Sequence, residues 1–295
     1  MPLRNIVRAL GGELYAGGRR ANVPYPGHSR ADRSLSLLSD NGRVVVSCFG
    51  GGDWKEALGH LREAGLIDRN NRPTGCGPPM LGPFPPSLSS REKAAAAWRI
   101  WEGGRAIGKT LAHTHLRLRH VTGDLPGHHV ARFNPAVRLC AYRSEDWIQT
   151  RPALVVAVHD AGGAFTGVEA TYLRTNARRA DELRIPRKHI GAVPAGCAVR
   201  IDPAAAHMLV AEGFVTALSA RARFGLPAWA LLSTRNLRSW SAPRGVRFVL
   251  IAGDNGADGR RSAGVLAARL EAQGVRARLA FPDAEFGDWN DAAQG

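Results

Sequence analysis

Two stretches place acidic residues where chemistry is most readily done. His207-Met-Leu-Val-Ala-Glu212-Gly213 and Arg247-Phe-Val-Leu-Ile-Ala-Gly-Asp254-Asn-Gly-Ala-Asp258-Gly259 each run apolar for the length of a strand, end in a carboxylate and a glycine, and pass into a helical pattern. If the two strands pair in parallel, both turns open at the carboxyl edge of one sheet, where open α/β sheets place their ligands. Glu212, Asp254 and Asp258 would then converge. Carboxylates about 4 Å apart repel by roughly 4 kcal/mol at an effective dielectric near 20, so the cluster implies a cation. Hard oxygen ligands suit Mg²⁺ or Mn²⁺, and that cation in turn implies a phosphate partner.

The rest of the chain must hold these groups in place. With 295 residues, 44% of them hydrophobic, it can bury a sizeable core in about two domains. No run approaches the ~18 apolar residues of a membrane span, and Met1-Pro-Leu-Arg-Asn-Ile lacks the apolar core of a signal peptide, so a cytoplasmic protein without membrane contact is expected. Cys48, Cys76, Cys140 and Cys197 are scattered and read as free thiols. The net charge of +15 rests almost wholly on arginine, since Lys55, Lys93, Lys109 and Lys188 are the lysines. A basic excess of this size favours a polyanion, most simply nucleic acid. Solvated arginines that bind nothing are the alternative.

Taken in order, residues 1–70 form a compact opening module with a strand at Arg43–Cys48 and a helical pattern through Leu58, Leu61 and Leu66. Residues 71–90 are rich in Pro, Gly and Ser and read as a linker. A basic α+β region follows over 91–203. It opens with a helix through Trp98 and Trp101, whose spacing puts both indoles on one face for core packing. Gly108-Lys109-Thr110 resembles the end of a phosphate-binding P-loop, but the first glycine would fall at position 103 with no strand before it, and the motif is rejected. His113, His115, His120, His128 and His129 follow no ligand spacing and read as surface or phosphate-contacting residues. Ala153–Val158 and Phe165–Leu173 are strands joined by an Asp160-Ala-Gly-Gly163 hairpin turn, and the run Arg174, Arg178, Arg179, Arg184, Arg187, Lys188 comes next. Residues 204–295 hold the acidic turns, a middle strand at Ala228–Leu232, a helix with its apolar face at Ala263, Leu266, Ala267 and Leu270, and a last strand at Val275–Leu279.

In this order the elements resemble the bacterial and phage type of DNA primase, in the version found on mobile elements and prophages. Val23-Pro-Tyr-Pro-Gly-His28 and Cys48-Phe-Gly-Gly-Gly52-Asp-Trp are similar to the zinc ribbon that opens those proteins. His28 and Cys48 keep two ligand positions, and Val23 and Gly52 stand at the other two. A structural zinc site needs four ligands, so this module is expected to be zinc-ribbon-like without the metal, unless Cys76 or another histidine supplies a ligand. Thr110 through Arg119 resembles the family's Gly-Thr-x-x-x-x-Tyr-Leu-x-x-Arg stretch, with His115 at the tyrosine. Leu209-Val-Ala-Glu212-Gly213 and the Asp254 turn are similar to the Glu-Gly and Asp-x-Asp motifs of a Toprim domain, and Gly287-Asp288-Trp-Asn-Asp291 to the family's Asp-Trp-Asn-Asp ending.

The resemblance implies an α/β fold: a C-terminal parallel-sheet Toprim domain over 204–295, a mixed α+β primase subdomain over 91–203, and the small ribbon-like module. It makes Glu212 the general acid/base and Asp254 the main ligand of Mg²⁺ or Mn²⁺. Gly256 stands where the family has its second aspartate, so Asp258, or Asp288 and Asp291, would complete the site. Arg174, Arg178, Arg179, Arg187 and Lys188 would face single-stranded DNA. The implied activity is nucleotidyl transfer, making short RNA primers from ribonucleoside triphosphates, with a replicative helicase on a separate chain as partner. A non-catalytic binding module that has lost activity, and a Toprim nuclease, are the alternatives.

Overall fold

A computed structural model describes residues 3–26, 32–48, 53–74, 90–139, 141, 149–183 and 185–295. The chain divides into two compact units, Met1–Ser87 and Leu88–Gly295. Both stretches expected at 91–203 and 204–295 fall within the second unit.

In the first unit, helix α1 (Arg4–Leu10) precedes strands β1 (Glu13–Tyr15), β2 (Arg20–Val23), β3 (Leu35–Asp40) and β4 (Arg43–Cys48), and helix α2 (Trp54–Glu63) follows them. The four strands pair antiparallel in the order β1-β2-β3-β4. Asn41 and Gly42 both take positive φ between β3 and β4, as a two-residue hairpin requires. Alternation explains the sheet: Leu35, Leu37, Val44 and Val46 point inward onto Leu3, Ile6, Leu58 and Leu61. Asp53 caps α2, its carboxylate accepting from Lys55 N at 2.8 Å. Cys48 is a free, half-buried thiol at the end of β4. His28 and Gly52, two of the four ribbon positions, lie outside the described residues, as do Cys76 and most of the expected linker.

The second unit holds helices α3 (Ser90–Glu102) and α4 (Leu111–Leu118), then strands β5 (Ala131–Arg138), β6 (Thr150–His159), β7 (Phe165–Tyr172) and β8 (Arg187–Gly191). Strand β9 (Val199–Arg200) follows, then β10 (His207–Ala211), helix α5 (Phe214–Phe224), β11 (Ala228–Ala230), helix α6 (Thr234–Ser239), β12 (Phe248–Ala252), helix α7 (Ala257–Ala272), β13 (Arg276–Ala280) and helix α8 (Trp289–Gln294). Strands β5 to β8 form an antiparallel sheet in sequence order. The second sheet runs β13-β12-β10-β11-β9 and is parallel except for β9.

β6 shows why its Ala153–Val158 run is apolar without interruption. Ala153, Val155 and Ala157 face the cluster under α3, while Leu154, Val156 and Val158 face the cluster shared with α4, α5 and the second sheet. The parallel sheet follows the same rule. Leu209, Ala211, Leu250 and Ala252 face α5; Met208, Val210, Val249 and Ile251 face the cluster that holds Leu266 and Leu270 of α7. His159 and Ala198 exchange backbone hydrogen bonds of 3.0 and 2.8 Å and so tie β6 to the strand entering β9. One core therefore serves both sheets.

Two expectations need correcting. Trp101 is buried, but Trp98 is 45% exposed, its ring edge-on to Phe165 at 5.1 Å on the rim of the cluster. His115 is not on the surface; it is 5% exposed on the inner side of α4. Lys109 closes no phosphate loop, since the helix α3 that ends at Glu102 stands where the motif needs a strand, and Thr110 caps α4 by accepting from His113 N. Among the described residues no helix is long and apolar enough to cross a membrane.

Candidate metal and nucleotide site

β10 and β12 run parallel and in register, Ala211 beside Ala252. Glu212 is the next residue beyond β10, and Asp254 lies two beyond β12, so both carboxylates emerge at the carboxyl edge of neighbouring strands. Leu232 N donates to Glu212 O at 2.7 Å, and Gly253 N to Ala280 O at 2.9 Å, fixing the backbone on both sides. Two glycines permit the close approach. A Cβ at Gly253 would meet the Phe281 ring at 2.5 Å, and one at Gly259 would meet Asp254 O at 2.7 Å, so α7 could not start so near Asp254 with larger residues.

Asn255 brings in a third carboxylate. Its Nδ2 donates to the carbonyls of Pro282, Asp283 and Phe286 at 3.1, 2.9 and 2.7 Å, and its own N–H reaches Gly287 O at 2.8 Å. The loop so folded delivers Asp288 to the start of α8. There its Oδ1 accepts from Asn290 N and Asp291 N at 2.7 and 2.8 Å, and its Oδ2 from Thr216 Oγ1 at 3.1 Å. Asp288 is thus a helix cap first, with little free capacity to ligate.

The opposite wall is basic. A cleft of about 240 Å³ is lined by His115, Arg119, Thr171, Arg179, Arg187, Glu212, Thr216, Asp254 and Asp288 among others. Arg187 reaches it from β8, paired with buried Glu169 of β7 at 3.7 Å, and Glu169 also accepts from His189 Nε2 at 2.8 Å. Arg119 reaches it from the end of α4, its Nε donating to Asn290 Oδ1 at 2.5 Å.

The carboxylates are uncomfortable in this setting. Burial and then the charges of Glu212, Asp288 and Asp291 push Asp254 up to about 7, against the pull of Arg187. Burial also raises Glu212, with Arg187 opposing and Asp258 adding to the rise. Asp254 Oδ1 is buried without a hydrogen-bond partner. Such an atom is an acceptor awaiting a donor or a cation. Among the described residues no three His, Cys, Asp or Glu side chains form a ready metal cage.

Residues 207–295 match the Toprim domain family. The chain carries a Toprim domain. Residues 91–201, which supply the basic wall, match a domain of unknown function, DUF7146. Among curated proteins none matches the chain. Similar solved structures include the zinc-binding and RNA polymerase domains of the Aquifex aeolicus primase, at 14% identity over 100% of this chain and 80% of that one, with a TM-score of 0.47. The E. coli primase catalytic core is similar at 14% identity, 70% and 75% coverage and a TM-score of 0.45. The primase fragment of the bacteriophage T7 primase-helicase protein is similar at 12% identity, 92% and 93% coverage and a TM-score of 0.42.

Of the residues singled out in the sequence, the cleft brings together Glu212, Asp254 and Asp288 of the Toprim domain with Arg179 and Arg187. Asp258 stands apart, exposed on α7 with its carboxylate 3.4 Å from Arg238. Arg174 is exposed and paired with Glu182 at 2.6 Å, Arg178 is exposed, and Lys188 donates to Leu139 O at 2.9 Å. Arg184 lies outside the described residues. Not singled out for the site were Arg119, His115, Thr216 and Glu169. Arg119 carried a signal, as the last position of the Thr110–Arg119 stretch; a buried glutamate on a strand carried none.

Proposed function

We propose that the chain is a primase-type nucleotidyltransferase that joins ribonucleotides on a single-stranded DNA template with the help of Mg²⁺ or Mn²⁺. The observation that supports this most is the pairing of Glu212 and half-buried Asp254, whose carboxyl is raised to about 7, at one sheet edge with Arg119, Arg179 and Arg187 across the cleft. Mg²⁺ is commonly held by one or two carboxylates, waters and the substrate's own phosphates instead of a full protein cage, and two carboxylates facing guanidinium groups fit that pattern. Asp254 with its unpartnered oxygen would hold the cation. Glu212, whose burial raises its proton affinity, would exchange a proton with the attacking hydroxyl. The cation when bound would offset triphosphate charge and polarise the reacting oxygens.

Arg179 and Arg187 would bind phosphates of template or nucleotide, and Arg174, Arg178 and Lys188 would extend that contact along the strand. In this reading residues 1–70 derive from a zinc ribbon, a separate helicase chain unwinds the template, and the setting is replication of a mobile element or prophage. Gly256 favours a second reading, a binding module without catalysis, because the neighbouring position offers the cation no carboxylate. A nuclease of Toprim type is the third.

Primer synthesis on single-stranded DNA separates them. Wild-type protein, Asp254→Ala and Glu212→Gln are incubated with labelled ribonucleotides and Mn²⁺ or Mg²⁺. Short products from the wild type alone are expected. Intact DNA binding with neither products nor cleavage would leave the binding module, and cleavage without synthesis the nuclease.

A further inference from the structure

His115 is a neutral acceptor set among cations. It lies on α4, 5% exposed, and lines the cleft together with Glu212 and Asp254. Its Nδ1 is 2.9 Å from the carbonyl oxygen of Ala177. A carbonyl can only accept, so Nδ1 carries the proton, and in the neutral ring Nε2 keeps its lone pair. No described residue bonds Nε2, and it is not among the buried polar atoms left without a partner. Burial together with the charges of Arg119 and Arg179 lowers the proton affinity of the ring, while the Ala177 bond and Asp181 oppose. The charged form of the ring is therefore disfavoured.

A lone pair in that position is poorly matched to an ionised phosphate oxygen, which can only accept. It is matched to a ligand hydroxyl or N–H. The surrounding guanidinium groups of Arg119, Arg179 and Arg187 are suited to the phosphates, and the carboxylates to a cation. What remains of a nucleotide is its sugar and its base. Copying a template changes the base at each step but never the ribose.

We propose that His115 Nε2 accepts a hydrogen bond from a ribose hydroxyl of the nucleotide and makes the cleft selective for the sugar. This rests on the nucleotidyl-transfer reading, but it concerns binding and is tested without turnover. His115 is a specificity-determining residue in this account. The Ala177 bond holds the ring in the tautomer the hydroxyl needs.

The test is equilibrium binding of ATP, 2′-deoxy-ATP and 3′-deoxy-ATP to the full chain in Mn²⁺, followed by calorimetry, for the wild type, His115→Asn and His115→Gln. One hydrogen bond to a hydroxyl predicts that the wild type binds ATP about tenfold more tightly than the analogue lacking that hydroxyl. His115→Asn can still donate to Ala177 but leaves nothing at the Nε2 position, so all three nucleotides should bind alike at the weaker level. His115→Gln places an amide oxygen near Nε2 and should restore part of the preference. Thermal melts of both variants report whether the fold is kept. Equal affinity of the wild type for all three nucleotides, or an equal loss for all three in His115→Asn, overturns the proposal and leaves the nucleotidyl-transfer reading standing. Binding of none of them to the wild type overturns both.

Discussion

Arg119 and Asn290 grip each other in both directions: Arg119 Nε donates to Asn290 Oδ1, and Asn290 Nδ2 donates to Arg119 O, each at 2.5 Å across 171 positions of sequence. Asn290 is fully buried and also reaches Ser219 Oγ at 3.0 Å. The start of α8 is thereby fastened to the end of α4, and an arginine of the cleft is fixed by a residue of the Toprim domain. Asn290→Ala should leave several buried polar groups unpaired and cost about 2–3 kcal/mol, read as a lower urea midpoint. Asn290→Asp keeps the acceptor for Arg119 Nε and should cost less.

Asp254 makes stability depend on pH. Its carboxyl is raised to about 7 in the fold, against an unfolded value near 3.9. Between these values the folded chain holds a proton the unfolded chain has released, so the contribution is full below about pH 4 and is lost as pH rises through about 7. The loss by pH 8 without divalent cation is on the order of 4 kcal/mol at most. Urea denaturation of the wild type between pH 5 and 8 should show the decline, and Asp254→Asn should flatten it. Added Mn²⁺ should restore stability at pH 8 in the wild type and do little in Asp254→Asn.

Gly256 is the N-cap of α7, and a Cβ placed there meets nothing within 4 Å. Gly256→Asp should therefore fold without strain and gain a few tenths of a kcal/mol from capping. Its larger effect should be on the cation: a second carboxylate on the Asp254 turn should tighten Mn²⁺ binding, which calorimetry would measure. An unchanged affinity would show that the cation lies away from this turn.

Arg187 and Arg174 are expected to differ on DNA. Arg187 lines the cleft, whereas Arg174 is exposed and held by Glu182. If Arg187 contacts one phosphate, Arg187→Gln should lower the slope of log affinity against log salt by about 0.7 for single-stranded DNA. Arg174→Gln should change it less, as anisotropy titrations over a range of salt would reveal.

The two acidic turns were legible because β10 and β12 are buried on both faces and so carry uninterrupted apolar runs that stop where the sheet ends. The hairpin at Asp160 was legible from its turn residues, and Arg43–Cys48 from its valines. β1 to β3 went unread although Asn41-Gly42 marked a hairpin, because their strands are short and mix serine and arginine with leucine. Trp98 and Trp101 showed the limit of spacing: a three-residue step shares a helix face, but the edge of that face can lie at the rim of a core. Asp258 failed to reach the cleft for a related reason. In the first turn of α7 it projects from the helix toward Arg238, where sequence distance from Asp254 says nothing of direction. Asn290 stood in the Asp-Trp-Asn-Asp stretch but its role did not show, and Glu169 was hidden, because their partners lie far along the chain or on a neighbouring strand.

The grip between Arg119 and Asn290 also sets a timetable for synthesis. A ribosome adding about 5–20 residues per second completes Asn290 roughly 10–30 s after Arg119. Until residues 207–220 emerge, the face of β6 that bears Leu154, Val156 and Val158 has no second sheet or α5 to cover it. During those seconds α4 alone, through Ala112 and Leu116, is available to cover that apolar face of the nascent second unit.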